Sequence, residues 1–225
     1  MTSQFSWIPI YQELANELSH WENKQSELIE FLIELSKRGF VITPLKDKDE
    51  EGQRFLLKEI DPFTFFGVFN RGITQDNRLK ILKEMKLFFN LQADIPSDFE
   101  GVPVLNNLMS WFFSFQKDRK INDIKKLWHV FKFALEDNPL INPDFLNAFD
   151  EALEVRGTNV NLTMGLFWIR PNTFLGLDQV NRSYLDIKIP SKGLSSEFYV
   201  DIINKLVSNV KTIPQISYEA WHSKA

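Results

Sequence analysis

The sequence predicts a mainly α-helical protein with a few short β-strands, folded as a single globular domain of about ten helices. Three observations lead there. Apolar residues recur at the 3.6-residue helical period over several long stretches. Most of those stretches open at an Asp, Asn, Ser or Thr cap, or close at a Gly or Pro. The chain of 225 residues is long enough to bury a large core, and it shows no fixed-period repeat and no low-complexity tract.

Taken in order, Trp7 to His20 and Glu22 to Arg38 read as two amphipathic helices, a hairpin within residues 1–40. In the second, Leu28, Ile29, Leu32, Ile33 and Leu35 keep the period, and Gly39 behind Lys37-Arg38 is a C-terminal stop. Thr43 to Gln53 contains KDKDEEG and reads as a charged, mobile loop. Asp61-Pro62 is an N-cap followed by a proline at the first helical position, so Pro62 to Asn70 is expected as a short helix closing at Gly72. Thr74 caps a helix to Phe89, with Asp76 in the first turn, where the helix dipole favours an anion. Asn90 to Asn107, interrupted by Pro96, Asp98, Gly101 and Pro103, reads as loop. Met109 to Phe115 is too short for periodicity to decide between helix and buried strand. Further helices are expected over Asn122 to Leu135, Pro143 to Glu154 and Asn161 to Ile169. A last long one runs from Ser195 or Ser196 to Val210. Short strands are expected around Phe40 to Ile42, Val102 to Leu105 and Leu185 to Ile189.

Composition narrows the chemistry. With no cysteine there is neither a disulfide framework nor a thiolate metal site or nucleophile, and the cytoplasm is the simplest compartment. No segment has the layout of a signal peptide, and none approaches the roughly 20 apolar residues of a membrane helix. His20, His129 and His222 lie far apart and lack the spacing of zinc motifs, so no metal site is expected. Glu22-Asn-Lys24 and Glu84-Met-Lys86 match the Glu-x-Lys of magnesium nucleases, but in helical stretches where that geometry fails. There is no G-x-S-x-G elbow, no Gly-rich dinucleotide turn and no phosphate loop for nucleoside triphosphates. The expectation is a domain without catalysis and without a cofactor.

Net charge is −4, so any nucleic-acid site must be a local basic patch on an acidic body. Three segments have the required character. Ile60 to Arg78 (IDPFTFFGVFNRGITQDNR), Ser110 to Arg119 (SWFFSFQKDR) and Leu162 to Arg182 (LTMGLFWIRPNTFLGLDQVNR) each set aromatic residues beside Arg or Asn. Rings stack on bases, and guanidinium groups take phosphates or base edges. The same pattern also describes core rings followed by helix ends: Phe63, Phe66 and Phe69 share one helix face, and Arg71 sits where a cation meets a helix C-terminus.

The strings WIPIYQELA (Trp7 to Ala15), DPFTFFGVFNRGIT (Asp61 to Thr74), PVLNN with SWFF (Pro103 to Phe113), NDIKKLW (Asn122 to Trp128) and LTMGLFWIRPNTFLGLD (Leu162 to Asp178) carry a resemblance. Together they resemble the N-terminal region of McrB-like AAA+ proteins of type IV restriction systems, which recognise modified cytosine in DNA. The resemblance implies a modified-DNA recognition domain over residues 1–225, with 191–225 a C-terminal helix leading toward an AAA+ motor. The motor's phosphate loop is missing from this chain. It also implies double-stranded DNA carrying a modified base as ligand, and in the full-length protein an AAA+ ring and a McrC-like nuclease subunit as partners. Base flipping into an aromatic cage suits the composition.

On this reading Arg71, Arg78, Arg119, Arg170 and Arg182 are candidates for phosphate or base-edge contacts. Trp111, Phe112 and Trp168 are candidates for stacking, and Asn70, Asn106, Asn107 and Asn181 for hydrogen bonds to a base. The alternative is a protein-interaction module that tethers a motor to a nuclease or a phage component. A nuclease or glycosylase domain is a third reading, for which the sequence offers no carboxylate or metal centre.

Overall fold

Residues Val160–Ile169, VNLTMGLFWI, are apolar on nearly every side, and a helix of that kind must be enclosed by others. In the computed structural model, which describes residues 4–107, 110–207 and 211–223, Leu162 through Ile169 are buried and the rest of the chain is arranged around them. The elements in chain order are α1 (Ile8–Leu18), α2 (Gln25–Lys37), β1 (Lys46–Lys48), β2 (Arg54–Leu56), α3 (Pro62–Gly67), α4 (Gln75–Phe88), α5 (Asp123–Leu135), α6 (Pro143–Leu153), α7 (Val160–Ile169), α8 (Gln179–Tyr184), α9 (Ser196–Val207) and α10 (Ile213–His222). The protein is mainly helical, as expected, with ten α-helices and one two-stranded sheet among the described residues.

The centre is the pair α3 and α7, with α1 against α7 and α5 against both. Every residue of α3 is buried. Asp61 accepts hydrogen bonds from the Phe63 and Thr64 amides at 2.8 and 3.0 Å, which starts the helix as its N-cap signature predicts. Gly165 allows α7 to close on α3, since a Cβ there would stand 2.5 Å from the Phe63 ring. Outside this centre α6 lies on α5, α9 on α6, and α10 on α8. Gly101, at φ +76°, lets the backbone of α10 approach directly: a Cβ would fall 2.8 Å from the Tyr218 Cα, and Ser217 Oγ donates to the Gly101 carbonyl at 2.7 Å.

Several expectations are corrected. Thr43 to Gln53 is not a loop throughout: β1 and β2 pair antiparallel with Lys46 opposite Leu56, Asp47 opposite Phe55 and Lys48 opposite Arg54. Asp47 is wholly buried, because its carboxylate accepts from the Lys48 and Gln116 amides and from Arg119. None of the three strands expected at 40–42, 102–105 and 185–189 forms. From irregular backbone Val102 and Leu105 enter the core and Phe40, Ile42, Leu185, Ile187 and Ile189 pack on its edge, while Val41 and Val104 are exposed; only Leu105 makes an isolated bridge, to Arg71. The 110–115 segment is neither helix nor strand and runs into a 3-10 turn at Gln116–Asp118, while Met109 lies outside the described residues. The helix from Ser196 ends at Val207, and 208–210 lie outside the described residues. It is followed by α10, so residues 191–225 hold two helices rather than one. No helix among the described residues is long and apolar enough to cross a membrane.

Candidate functional site

The end of α3 delivers Asn70 and Arg71 to a junction with the loop carrying Leu105, Asn106 and Asn107. The Leu105 amide donates to the Asn70 carbonyl at 2.9 Å, the Gly72 amide to the Leu105 carbonyl at 3.2 Å, and Asn107 Nδ2 to the Gly72 carbonyl at 2.7 Å. Four of the candidate residues, Asn70, Arg71, Asn106 and Asn107, are thereby brought together, and Arg78 reaches the same junction from α4.

Within that junction the side chains divide. Asn70 is fully buried: its Oδ1 accepts from Tyr11 Oη at 2.6 Å and from Arg78 Nη2, and its Nδ2 donates to the Phe66 carbonyl at 3.1 Å. Arg78 Nη2 also donates to Tyr11 Oη at 3.1 Å, and its guanidinium lies 4.1 Å from the Phe99 ring centroid. Burial holds the Arg78 guanidinium below its usual range, opposed by Tyr11, and pushes the Tyr11 hydroxyl up, opposed by Arg78. Asn70 and Arg78 are therefore committed inside the protein, which corrects their assignment to a base or a phosphate. Arg71 has no such commitment. It is 6% exposed, its Nε like that of Arg78 has no acceptor, and burial lowers its pKa, but no Tyr11, Asn70 or ring contact of the kind Arg78 has takes its guanidinium. Asn106 and Asn107 are exposed on the same edge.

A second cluster is built by the β-ribbon. Cross-strand partners share a face, and so do residues two apart. Lys46, Lys48, Arg54 and Leu56 therefore lie on one face, with Asp47 and Phe55 on the other. Buried Asp47 fixes the second face as the inner one. Lys48 and Arg54 stand directly opposite each other, and none of the three cations has a carboxylate within ion-pair distance among the described residues. Beside the ribbon Trp111, Phe113 and Phe115 form a ring cluster, with centroids 5.0 and 5.6 Å apart from Trp111 to its two neighbours. Trp111 is half-buried and donates from Nε1 to the Pro44 carbonyl at 3.1 Å. Phe115 is 38% exposed, with Lys48 Nζ 5.3 Å from its centroid. Arg119 belongs to this cluster as a staple: Nη1 donates to Asp47 at 3.0 Å and to the Ser114 carbonyl at 3.2 Å.

The remaining candidates are structural. Phe112 and Trp168 are fully buried against each other, and Trp168 Nε1 donates to the Pro103 carbonyl at 2.9 Å. Neither has a face to offer a base. Arg170 Nη1 donates to the Ala134 and Glu136 carbonyls at the end of α5, at 3.3 and 2.5 Å. Arg182 Nε donates to the Leu177 carbonyl at 3.0 Å, and Asn181 Nδ2 to the Gly176 carbonyl and Ser217 Oγ. The ribbon cations Lys46, Lys48 and Arg54 are absent from the candidates that the sequence suggests. The signal that could have found them is the strict alternation of Lys-Asp-Lys and Arg-Phe-Leu around a turn containing Gly52, whose φ is +79°. Among the described residues no group of three or more His, Asp or Glu is placed to hold a metal ion.

By fold the chain is a helical domain that carries, among the described residues, one two-stranded ribbon with a basic outer face. Residues 7–223 match the family described as Domain of unknown function (DUF8425), and the chain belongs to that family. No curated protein and no solved structure matches it.

Proposed function

We propose that this is a non-catalytic DNA-binding specificity domain, of the kind its resemblance to McrB-like proteins implies, that distinguishes duplexes carrying a modified, methylated cytosine. The observation that carries the reading is the outward face of the ribbon. Lys46, Lys48 and Arg54 concentrate three uncompensated cations there, on a chain whose net charge is −4, and half-exposed Trp111 and exposed Phe115 stand alongside. Like charges directly opposite across a sheet are destabilising, so an anionic partner would relieve what folding leaves unfavourable. A two-stranded ribbon also fits the width of a DNA major groove. Of the three stacking candidates only Trp111 keeps a free edge, so it is the ring to which the selectivity for a modified base is assigned.

The test is duplex binding by the full chain as a function of salt. Replacing Lys46, Lys48 and Arg54 together by Ser should weaken modified and unmodified duplexes alike. It should also flatten the log-log salt slope by roughly 2.7, at about 0.9 for each cation that no longer neutralises a phosphate. A wild-type chain that shows no preference across a panel of modified bases, or whose DNA affinity ignores salt, would sink the proposal.

The second reading, a protein-interaction module, is favoured by a different surface, built from different elements. There α6 and α9 enclose an open depression of about 450 Å³ lined by Leu146, Val200, Glu197 and Asp201, among others. Its acidic and apolar lining suits a basic segment of a partner protein and repels nucleic acid. Charge reversal at Glu197 and Asp201 should leave duplex binding unchanged on the first reading.

A further inference from the structure

The least explained group in the molecule is the Arg71 side chain. An arginine this deeply buried is ordinarily paired, because taking a guanidinium out of water is costly unless hydrogen bonds or a counter-charge replace the lost solvation. Arg71 is 6% exposed, yet no carboxylate, carbonyl or aromatic ring among the described residues takes its guanidinium. Its Nε is sealed without an acceptor, whereas its two terminal nitrogens are not among the sealed atoms and so meet solvent at the end of the shaft. The backbone around it is held firmly: Arg71 bridges Leu105, and Asn107 clamps the Gly72 carbonyl. The head group is thus presented to solvent by a fixed frame, with exposed Asn106 and Asn107 on the adjoining stretch of chain.

We propose that Arg71 is the anchor of a binding subsite for a phosphate group. The terminal nitrogens of a guanidinium form a fork that matches two oxygens of an oxyanion. A carboxylate commits both its oxygens to that fork, while a phosphate keeps a third for a donor on the adjoining edge, which the second Nδ2 hydrogen of Asn107, beside the one on the Gly72 carbonyl, can supply. The subsite stands on different residues from the ribbon, and its success or failure is separable from DNA selectivity.

The experiment is thermal melting of the full chain with inorganic phosphate against chloride at matched ionic strength, for wild type, Arg71→Met, Arg71→Lys and Arg78→Met. Above the binding constant, wild-type Tm should rise by roughly 3–6 °C per tenfold increase in phosphate. Arg71→Met should be at least as stable as wild type without phosphate, since it removes an unpaired buried cation, and should not respond to phosphate. Arg71→Lys keeps the charge without the fork and should respond less than wild type. Should Arg71→Met fail to fold, the Lys variant still decides the matter. Arg78→Met, which breaks an internal network, should melt lower but keep the full phosphate response. Equal responses in wild type and both Arg71 variants, or no wild-type response, overturn the subsite. Duplex binding then identifies the source of the phosphate. If it is the DNA backbone, Arg71→Met flattens the salt slope by about 0.9 and weakens modified and unmodified duplexes alike. If it is a free phosphate compound, duplex affinity is unchanged while the phosphate response is lost.

Discussion

Arg71 and Arg78 are seven residues apart, both 6% exposed, and neither meets a carboxylate. Around Arg78 the chain has assembled Tyr11, Asn70 and the Phe99 ring, three groups that share and delocalise its charge. Around Arg71 it has assembled nothing of the kind. The same contrast separates Trp168, enclosed and bonded to Pro103, from Trp111, which is bonded to Pro44 but keeps part of its ring in solvent. Both regions derive from one sequence pattern, aromatic residues beside Arg or Asn. What distinguishes a structural copy from an available one is the inventory of partners, because a buried polar group is stable in proportion to how fully it is satisfied.

The largest expected effect comes from the enclosed region. Trp168→Ala removes a fully buried ring that touches Phe112 and holds the Pro103 carbonyl, and should cost about 3–5 kcal/mol in denaturant unfolding at an unchanged m-value. A cost below about 1 kcal/mol would place Trp168 in the available group and break the comparison.

This division also explains how much could be read from the sequence. Helices with strong periodicity and caps, such as those starting at Asp61, Thr74 and Pro143, were legible because local hydrogen bonds and one apolar face determine them. The short helices α8 and α10 and the β-ribbon were not. The ribbon is fixed by a distant partner, through burial of Asp47 beneath Arg119, whereas α8 and α10 open at local caps, Asp178 on the Asn181 amide and the capping box of Thr212 and Gln215, that the expected strand at 185–189 and the expected single C-terminal helix obscured. Within the candidate site the sequence named Asn70 and Arg71 together, but it could not tell that Tyr11, 59 residues from Asn70, would claim the asparagine. The ribbon cations were hidden by their own acidic neighbours Asp49, Glu50 and Glu51, which lie in the turn rather than on the face.

A third buried charge sharpens the contrast. Asp61 caps α3 yet has no cation beside it, and its Oδ2 has no partner, so burial pushes its carboxyl up to about 6 from 3.8. The sign follows from proton binding. Between roughly pH 4 and 6 the folded state holds a proton that the unfolded state has released, so this group's contribution is fully favourable below the unfolded pKa and is lost as pH rises through the folded one. Asp61→Asn keeps an oxygen for the cap and cannot ionise. The stability difference between mutant and wild type should therefore shift in the mutant's favour by on the order of 2–3 kcal/mol between pH 4 and pH 7.5. Parallel stability curves for the two proteins across that window would show that Asp61 is better satisfied than its surroundings indicate, and would remove it as a second case of the unpaired burial seen at Arg71.

The smallest change in folding is expected at Trp111, and it is the most discriminating. Its indole donates one hydrogen bond to Pro44 and rests on Phe113 and Phe115, but with part of the ring already in solvent the loss on Trp111→Ala should be about 1 kcal/mol, the net worth of one hydrogen bond with limited packing. If the ring stacks on a base, the same substitution should remove about 1–3 kcal/mol of binding to a modified duplex and narrow its advantage over an unmodified one. Loss of the ribbon cations should instead weaken both duplexes equally, because phosphates carry no sequence information. A folded Trp111→Ala protein that retains full preference for the modified duplex would remove Trp111 from the reading surface. The exposed edge of the ring would then be an accident of packing beside the ribbon, and selectivity would have to arise elsewhere, with the Asn106 and Asn107 edge next to Arg71 the first place to look.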